Sequence, residues 1–275
     1  MFNKKRLIVL LTGTLLVGSL VSGCGSAGAN STSGSSSSKI TVSGSTSVGP
    51  TMEILAEDYQ KENDTTTIEV QQVGSSAGIT NTIDGTSQIG MSSRDLKDEE
   101  KSELKEYQIA IDGIAVITNS ANKVKDLTLD QVKDIYTGKI TNWKEVGGND
   151  ADIVVVSRED GSGTRDGFQE IVGFESGDLT SNAQISDGSG NIKTTVQGNE
   201  NAIGYISFGY LDDSINSVKI GGVEPKEENV YNKKYPISRP FLLVTKGDAT
   251  GDAKSFIDYV LSDEGQKTIE KEGFM

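Results

Sequence analysis

Three times in this chain a short apolar run ends in a cluster of glycine, serine and threonine, and a helical pattern begins. The runs are KITVSG, TIEVQQV and ADIVVVSRED, and the clusters are Gly44–Ser47, Gly74–Gly78 and Gly161–Thr164. Strands alternating with helical stretches argue for an α/β fold with mostly parallel strands. The elbows also point to chemistry. Glycine lets the backbone turn tightly and approach a ligand. The first N–H groups of a helix have no partner within it and carry partial positive charge, which suits an anion. A single elbow of this kind reads as a helix cap, because serine and threonine are preferred there. Three of them, the last joined to Arg158, point to an oxyanion site. None carries the lysine of a nucleotide-binding P-loop, so a small ligand is implied and a nucleotide is not.

Composition removes most other chemistry. The chain of 275 residues has no histidine, one cysteine and a net charge of −14. Imidazole bases, histidine metal sites and serine–histidine–aspartate catalysis are excluded. An acidic chain without a basic stripe does not suit nucleic acid. A serine-based phosphatase would need a carboxylate–metal cluster to activate its nucleophile. The acids instead crowd helix faces such as Asp98–Glu106, and the reading is of a protein that is not an enzyme and needs no metal or cofactor. In SREDGSGT, Arg158 supplies the positive charge, Asp160 is expected to pair with it, and Gly161–Thr164 form the donor nest.

Periodicity predicts a helix over PTMEILAEDYQKEN, a charged helix over residues 95–107 and a helix over LTLDQVKDIYTG, capped near Thr128 and stopped by Gly138. A helix pair is expected at the C-terminal end, with Tyr136 and Trp143 in the core. The first 23 residues read as a signal sequence, with Lys4, Lys5 and Arg6 before a short apolar stretch. Val21-Ser22-Gly23-Cys24 resembles the lipobox of bacterial lipoproteins, which makes Cys24 the lipidated residue. Residues 24–38 then form a lipidated cysteine and a Gly/Ser tether.

The segments GSTSVGP, GSSAGI, IGMSSRDL, IYTGKITNW, SREDGSGTRDGF and NAIGYISFGY occur in an order that resembles the phosphate-binding proteins of bacterial phosphate ABC transporters. The resemblance spans about residues 40–275. It implies a two-lobed periplasmic-binding-protein fold, each lobe a mixed sheet flanked by helices, with two crossover strands as the hinge. Lobe 1 would comprise residues 40–115 and 238–275, lobe 2 residues 116–237. Carried over by position, Thr46, Ser47, Ser75, Ser93, Arg158, Ser162, Gly163 and Thr164 would bind phosphate, and Asp160 would orient the arginine. Ser93 stands where many members have an aspartate that accepts the phosphate proton. The implied protein is a monomer held by lipid on the outer face of the cell membrane, delivering inorganic phosphate to permease subunits. Sulfate or another tetrahedral oxyanion is the alternative ligand, and a metal-dependent phosphatase the more distant one.

Overall fold

Strand β1 (Ser38–Gly44) buries Ile40 and Val42 and ends at a glycine with φ of +144°. A Cβ at Gly44 would lie 2.2 Å from the carbonyl oxygen of Met91, so only glycine lets β1 turn against its neighbouring strand. The structure is a computed structural model that describes residues 38–275. The signal-like residues 1–23, Cys24 and the tether up to residue 37 lie outside the described residues. Within them no helix is long and apolar enough to cross a membrane.

From Gly44 the chain enters α1 (Gly49–Glu62), with Pro50 in its first turn and Met52, Leu55 and Tyr59 buried. β2 (Thr66–Gln72) follows and pairs in parallel with β1. Next come α2 (Ser75–Ile83), β3 (Ile89–Ser92) and the single turn α3 (Asp98–Lys101). The helix expected over residues 95–107 stops there. From Leu104 the chain is strand β4 (Leu104–Asn119), because Lys105–Gly113 are taken into pairing with a distant strand. Long-range pairing overrides the helical preference of a charged segment.

After β5 (Asp126–Leu127), α4 (Leu129–Tyr136) has the predicted cap, with Thr128 Oγ1 accepting from Gln131 N–H. Gly138 has a φ of +75° just beyond it. Then follow β6 (Val154–Arg158), α5 (Gly163–Val172), β7 (Gln184–Ser186), α6 (Gly188–Gln197) and β8 (Ala202–Ser207). Short strands β9 (Ile215–Ser217) and β10 (Lys219–Ile220) and the helix α7 (Glu227–Tyr231) lead to β11 (Ser238–Lys246). The predicted helix pair closes the chain as α8 (Gly251–Val260) and α9 (Asp263–Lys271).

The main sheet runs in the order β2-β1-β3-β11-β4-β8-β6-β7, with β9 also on β4. It is mixed rather than mostly parallel: β4 is antiparallel to β11, β8 and β9, and β3 is antiparallel to β11. Strand β4 belongs to two cores. Through Tyr107, Ile109 and Ala110 it packs with Ile40, Met52, Leu55, Phe241 and Phe256. From Ile114 it packs with Tyr136, Trp143, Phe168 and Tyr205. The segment entering β11 makes the same passage, from Tyr235 and Ile237 in the second core to Phe241 in the first. Tyr136 and Trp143 are buried core residues, as expected.

Candidate oxyanion site

Four helices, α1, α2, α5 and α6, begin at one place between the two cores. The sequence announced three of these elbows. The fourth is Ser186–Ser189, where β7 ends and α6 begins at Gly188. It uses the same glycine–serine grammar as the others and could have been found by it.

The hydroxyls divide between local and shared work. Ser45 Oγ accepts from the N–H groups of Ser47 and Val48, so it shapes the first elbow. Ser162 is the N-cap of α5, its Oγ accepting from Arg165 N–H. The bland reading of a helix cap therefore holds for Ser162, whose own hydrogen remains to be donated elsewhere. Ser47 Oγ instead shares hydrogen bonds with Thr164 Oγ1 at 3.0 Å and Ser189 Oγ at 3.4 Å, across the gap between the cores. Ser75, at the first residue of α2, accepts from Ser93 N–H and shares a 3.3 Å hydrogen bond with Ser93 Oγ. Gly163 faces both. A Cβ there would lie 2.4 Å from Ser75 Oγ and 2.8 Å from Ser93 Oγ. Ser76 N–H donates to the carbonyl of Gly161, and Tyr210 Oη donates to that of Thr46. Beside this cluster opens a cavity of about 550 Å³, lined by Thr46, Glu159, Asp187, Gly188, Ser189 and Tyr210.

Arg158 reaches the cluster from the end of β6 and is 1% exposed. Its N–H donates to Tyr205 Oη on β8, a ring stacked on Phe168 at 4.0 Å. Its guanidinium donates to Thr164 Oγ1, Ser189 Oγ and Thr46 Oγ1. The acid that holds it is not Asp160. Glu159 grips it bidentately, at 2.7 Å from Nε and 2.6 Å from Nη2, and also accepts from Gly188 N–H. Asp160 sits in the turn with its side chain 92% exposed and pairs with Arg165. Arg165 reaches back from α5 to the carbonyl of Arg158, which brings it beside the turn and draws Asp160 outward. Burial acts to raise the Glu159 carboxyl, but the hydrogen bonds and charge of Arg158 outweigh it and leave the group below its ordinary value of 4.5.

Two further arginines were not assigned by the elbows. Arg94 pairs bidentately with Glu100 and reaches across the gap to Asp166 on α5, 3.0 Å from its Nε. Arg239, on β11, is held by Asp112 and directs Nη2 to Ser47 Oγ at 3.3 Å. Among the described residues no group of three or more potential ligands is placed to hold a metal ion. Thr46, Ser47, Ser75, Ser93, Arg158, Ser162, Gly163 and Thr164 thus come together, and Asp160 does not. Backbone N–H groups, hydroxyls and guanidinium are donors, so the arrangement can hold a small anion.

Glu100 provides a pH test. Its burial acts upward, but the Arg94 hydrogen bonds and the N–H of Lys97 bring its carboxyl below the ordinary 4.5. A carboxyl depressed in the folded state stabilises above its unfolded value and loses that contribution as pH falls through the folded one. Glu100→Gln should therefore lower stability at neutral pH by about 1–3 kcal/mol, the cost of leaving a buried charged donor poorly satisfied. The gap to wild type should close below pH 4.5. Urea midpoints of both proteins across pH measure it; a gap of constant size would show that the Glu100 charge does not contribute.

The PBP superfamily domain matches residues 29–264. Phosphate-binding protein PstS of Bacillus subtilis is 38% identical over 234 residues, covering 84% of this chain and 77% of that one. A structure from Clostridium perfringens, described as a phosphate ABC transporter substrate-binding protein with bound phosphate, superposes with a TM-score of 0.84 at 64% identity. It covers 86% of this chain and 98% of its own. A phosphate transport receptor from Vibrio cholerae gives a TM-score of 0.75 at 39% identity, with coverage of 86% and 99%. The two cores joined by β4 and β11 are thus the two lobes of the periplasmic-binding-protein fold, and this chain belongs to the PBP superfamily and, within it, to the family of phosphate-binding proteins.

Proposed function

We propose that this chain captures inorganic phosphate between its lobes and delivers it to the permease of an ABC transporter. One observation carries the reading: four helix N-termini and the Arg158 guanidinium converge on one cluster of buried hydroxyls. Thr46, Ser47, Ser75, Ser93, Arg158, Ser162, Gly163 and Thr164 supply the donors, joined by Ser189, and Glu159 orients the arginine. Lobe 1 is residues 40–115 with 238–275, and lobe 2 is residues 116–237; the memberships of the two hydrophobic cores support this division except at Ile114 and Ala115, which pack with the second core. Because donors come from both lobes, the ligand draws them together. The protein binds and does not turn over substrate, as its relatives are binding proteins. It works as a monomer outside the cytoplasm, anchored by lipid on Cys24 through a tether that reaches β1 at Ser38.

Calorimetric titration of the protein lacking residues 1–23 with phosphate should give saturable heat at one site per chain. Incubation with a phosphate ester, with and without divalent metal, should release nothing above buffer. Absence of phosphate binding, or steady release of product, overturns the reading. Sulfate is the second ligand to titrate, because Ser93 places a hydroxyl and not a carboxylate beside Ser75. A hydroxyl can donate to a fully ionised oxyanion, whereas an ionised carboxylate only accepts. Tight sulfate binding with weak phosphate binding would move the assignment to that ligand.

A further inference from the structure

Arg239 enters the site from the hinge. It lies on β11 directly opposite Asp112 on β4, where both strands pass from one core to the other. Asp112 is fully buried and accepts through Oδ2 from Nε and Nη2 of Arg239, and through Oδ1 from Ser207 and the N–H of Phe208. Nη1 donates to the carbonyl of Ser93. The Phe241 ring lies 5.5 Å from the guanidinium carbon, and the arginine stem lies against α5 at Gly167. A fold staple would end there. The remaining contact is different, because Nη2 also reaches Ser47 Oγ, the hydroxyl that meets Thr164 and Ser189. Those two hydroxyls receive Nη1 of Arg158. Two guanidiniums therefore flank one hydroxyl cluster, one from lobe 2 and one from the hinge.

The neighbouring charges sharpen the consequence. Asp112 faces Arg239 from β4, Arg158 and Glu159 lie at the end of β6, and Tyr205 stands on β8. On α5, Arg165 pairs with Asp160, and Asp166 pairs with Arg94, which also holds Glu100. Each of these carboxylates is held by an arginine. None of these is free to take the proton of a singly ionised ligand; Asp187, on the lining of the adjacent cavity, is exposed and makes no hydrogen bond to the hydroxyl cluster, while two fixed cations face a ligand with two charges. Arginine stays protonated throughout the accessible pH range.

We propose that Arg239, held by Asp112, is a second cation of the phosphate site and makes it prefer the doubly ionised oxyanion. The inference rests on the reading of the site as a phosphate site. Its test is the double variant Asp112→Asn with Arg239→Gln, which removes both charges and keeps a donor–acceptor pair. Phosphate is titrated calorimetrically in mildly acid and mildly alkaline buffer at one salt concentration. Wild type should bind more tightly in alkaline buffer, where the second phosphate proton is lost. The double variant should be about tenfold weaker there, the scale of one hydrogen bond to a charged group, and its preference for alkaline buffer should flatten. Unchanged affinity, or a uniform loss with the preference intact, would make the pair a fold staple and overturn the proposal. Thermal unfolding checks the fold. Should the double variant not fold, Arg239→Lys serves: its ammonium keeps the charge but cannot span Asp112 and Ser47, so weaker binding is expected and wild-type affinity overturns the proposal. Wild type that binds no phosphate sinks the reading of the site. Wild type that binds, with an indifferent Arg239, sinks only this inference.

Discussion

Arg158→Ala is expected to weaken phosphate binding by roughly two to three and a half decades, from the approximately 3–5 kcal/mol typical of breaking a buried charge pair. The side chain is 1% exposed and donates to three hydroxyls on two lobes, so its loss disturbs more than one contact. It also strips Glu159 of its bidentate partner and leaves an unpaired carboxylate charge beside the cleft. A bare carboxylate next to an anion repels it, which adds to the loss. Calorimetry of the variant measures the effect, and binding within threefold of wild type would remove Arg158 from the site.

Gly163→Val should cost about a hundredfold in phosphate affinity, a figure toward the upper end of the penalties for overpacking. The cause is not a lost contact. Gly163 lies on lobe 2, and Ser75 and Ser93 lie across the gap on lobe 1, so a side chain at 163 fills the space the lobes must share. The three atoms a Cβ would meet first all belong to Ser75 and Ser93 of lobe 1. The variant should remain folded and stay open, with thermal stability close to wild type without ligand. Small-angle scattering should show compaction with phosphate in wild type and little in Gly163→Val. A variant that compacts like wild type and keeps its affinity would show that closure does not depend on this contact.

The elbows were legible because their information is local. A strand, a glycine that permits the turn and a hydroxyl at the helix start lie within a few residues of one another. Arg158 was legible for the same reason, standing directly at the junction of strand and loop. Its partner was not. Glu159 and Asp160 are adjacent acids, and the choice between them depends on Arg165 reaching back from α5 and on the N-terminus of α6 arriving from another part of the chain. Arg239 was hidden more deeply. In SRPFLLVTK it reads as a polar residue at the edge of an apolar run. Its orientation depends on the pairing of β11 with β4, residues far apart in sequence. The charged segment 95–107 misled through the same pairing, since its local preference was helical and its partner strand was distant.

The place of β11 in the sheet also bears on how the protein is made. It comes last among the strands yet lies between β3 and β4, near the middle of the order. Until it has been synthesised, β3 and β4 lack the partner that joins them, and the core around Ile40, Met52 and Leu55 lacks Phe241 and Phe256. Unpaired strand edges and uncovered apolar surface are what make partly folded chains aggregate. The N-terminal lobe thus begins first and finishes last. A chain emerging vectorially, N-terminal end first, would carry this open lobe until its final segment emerged.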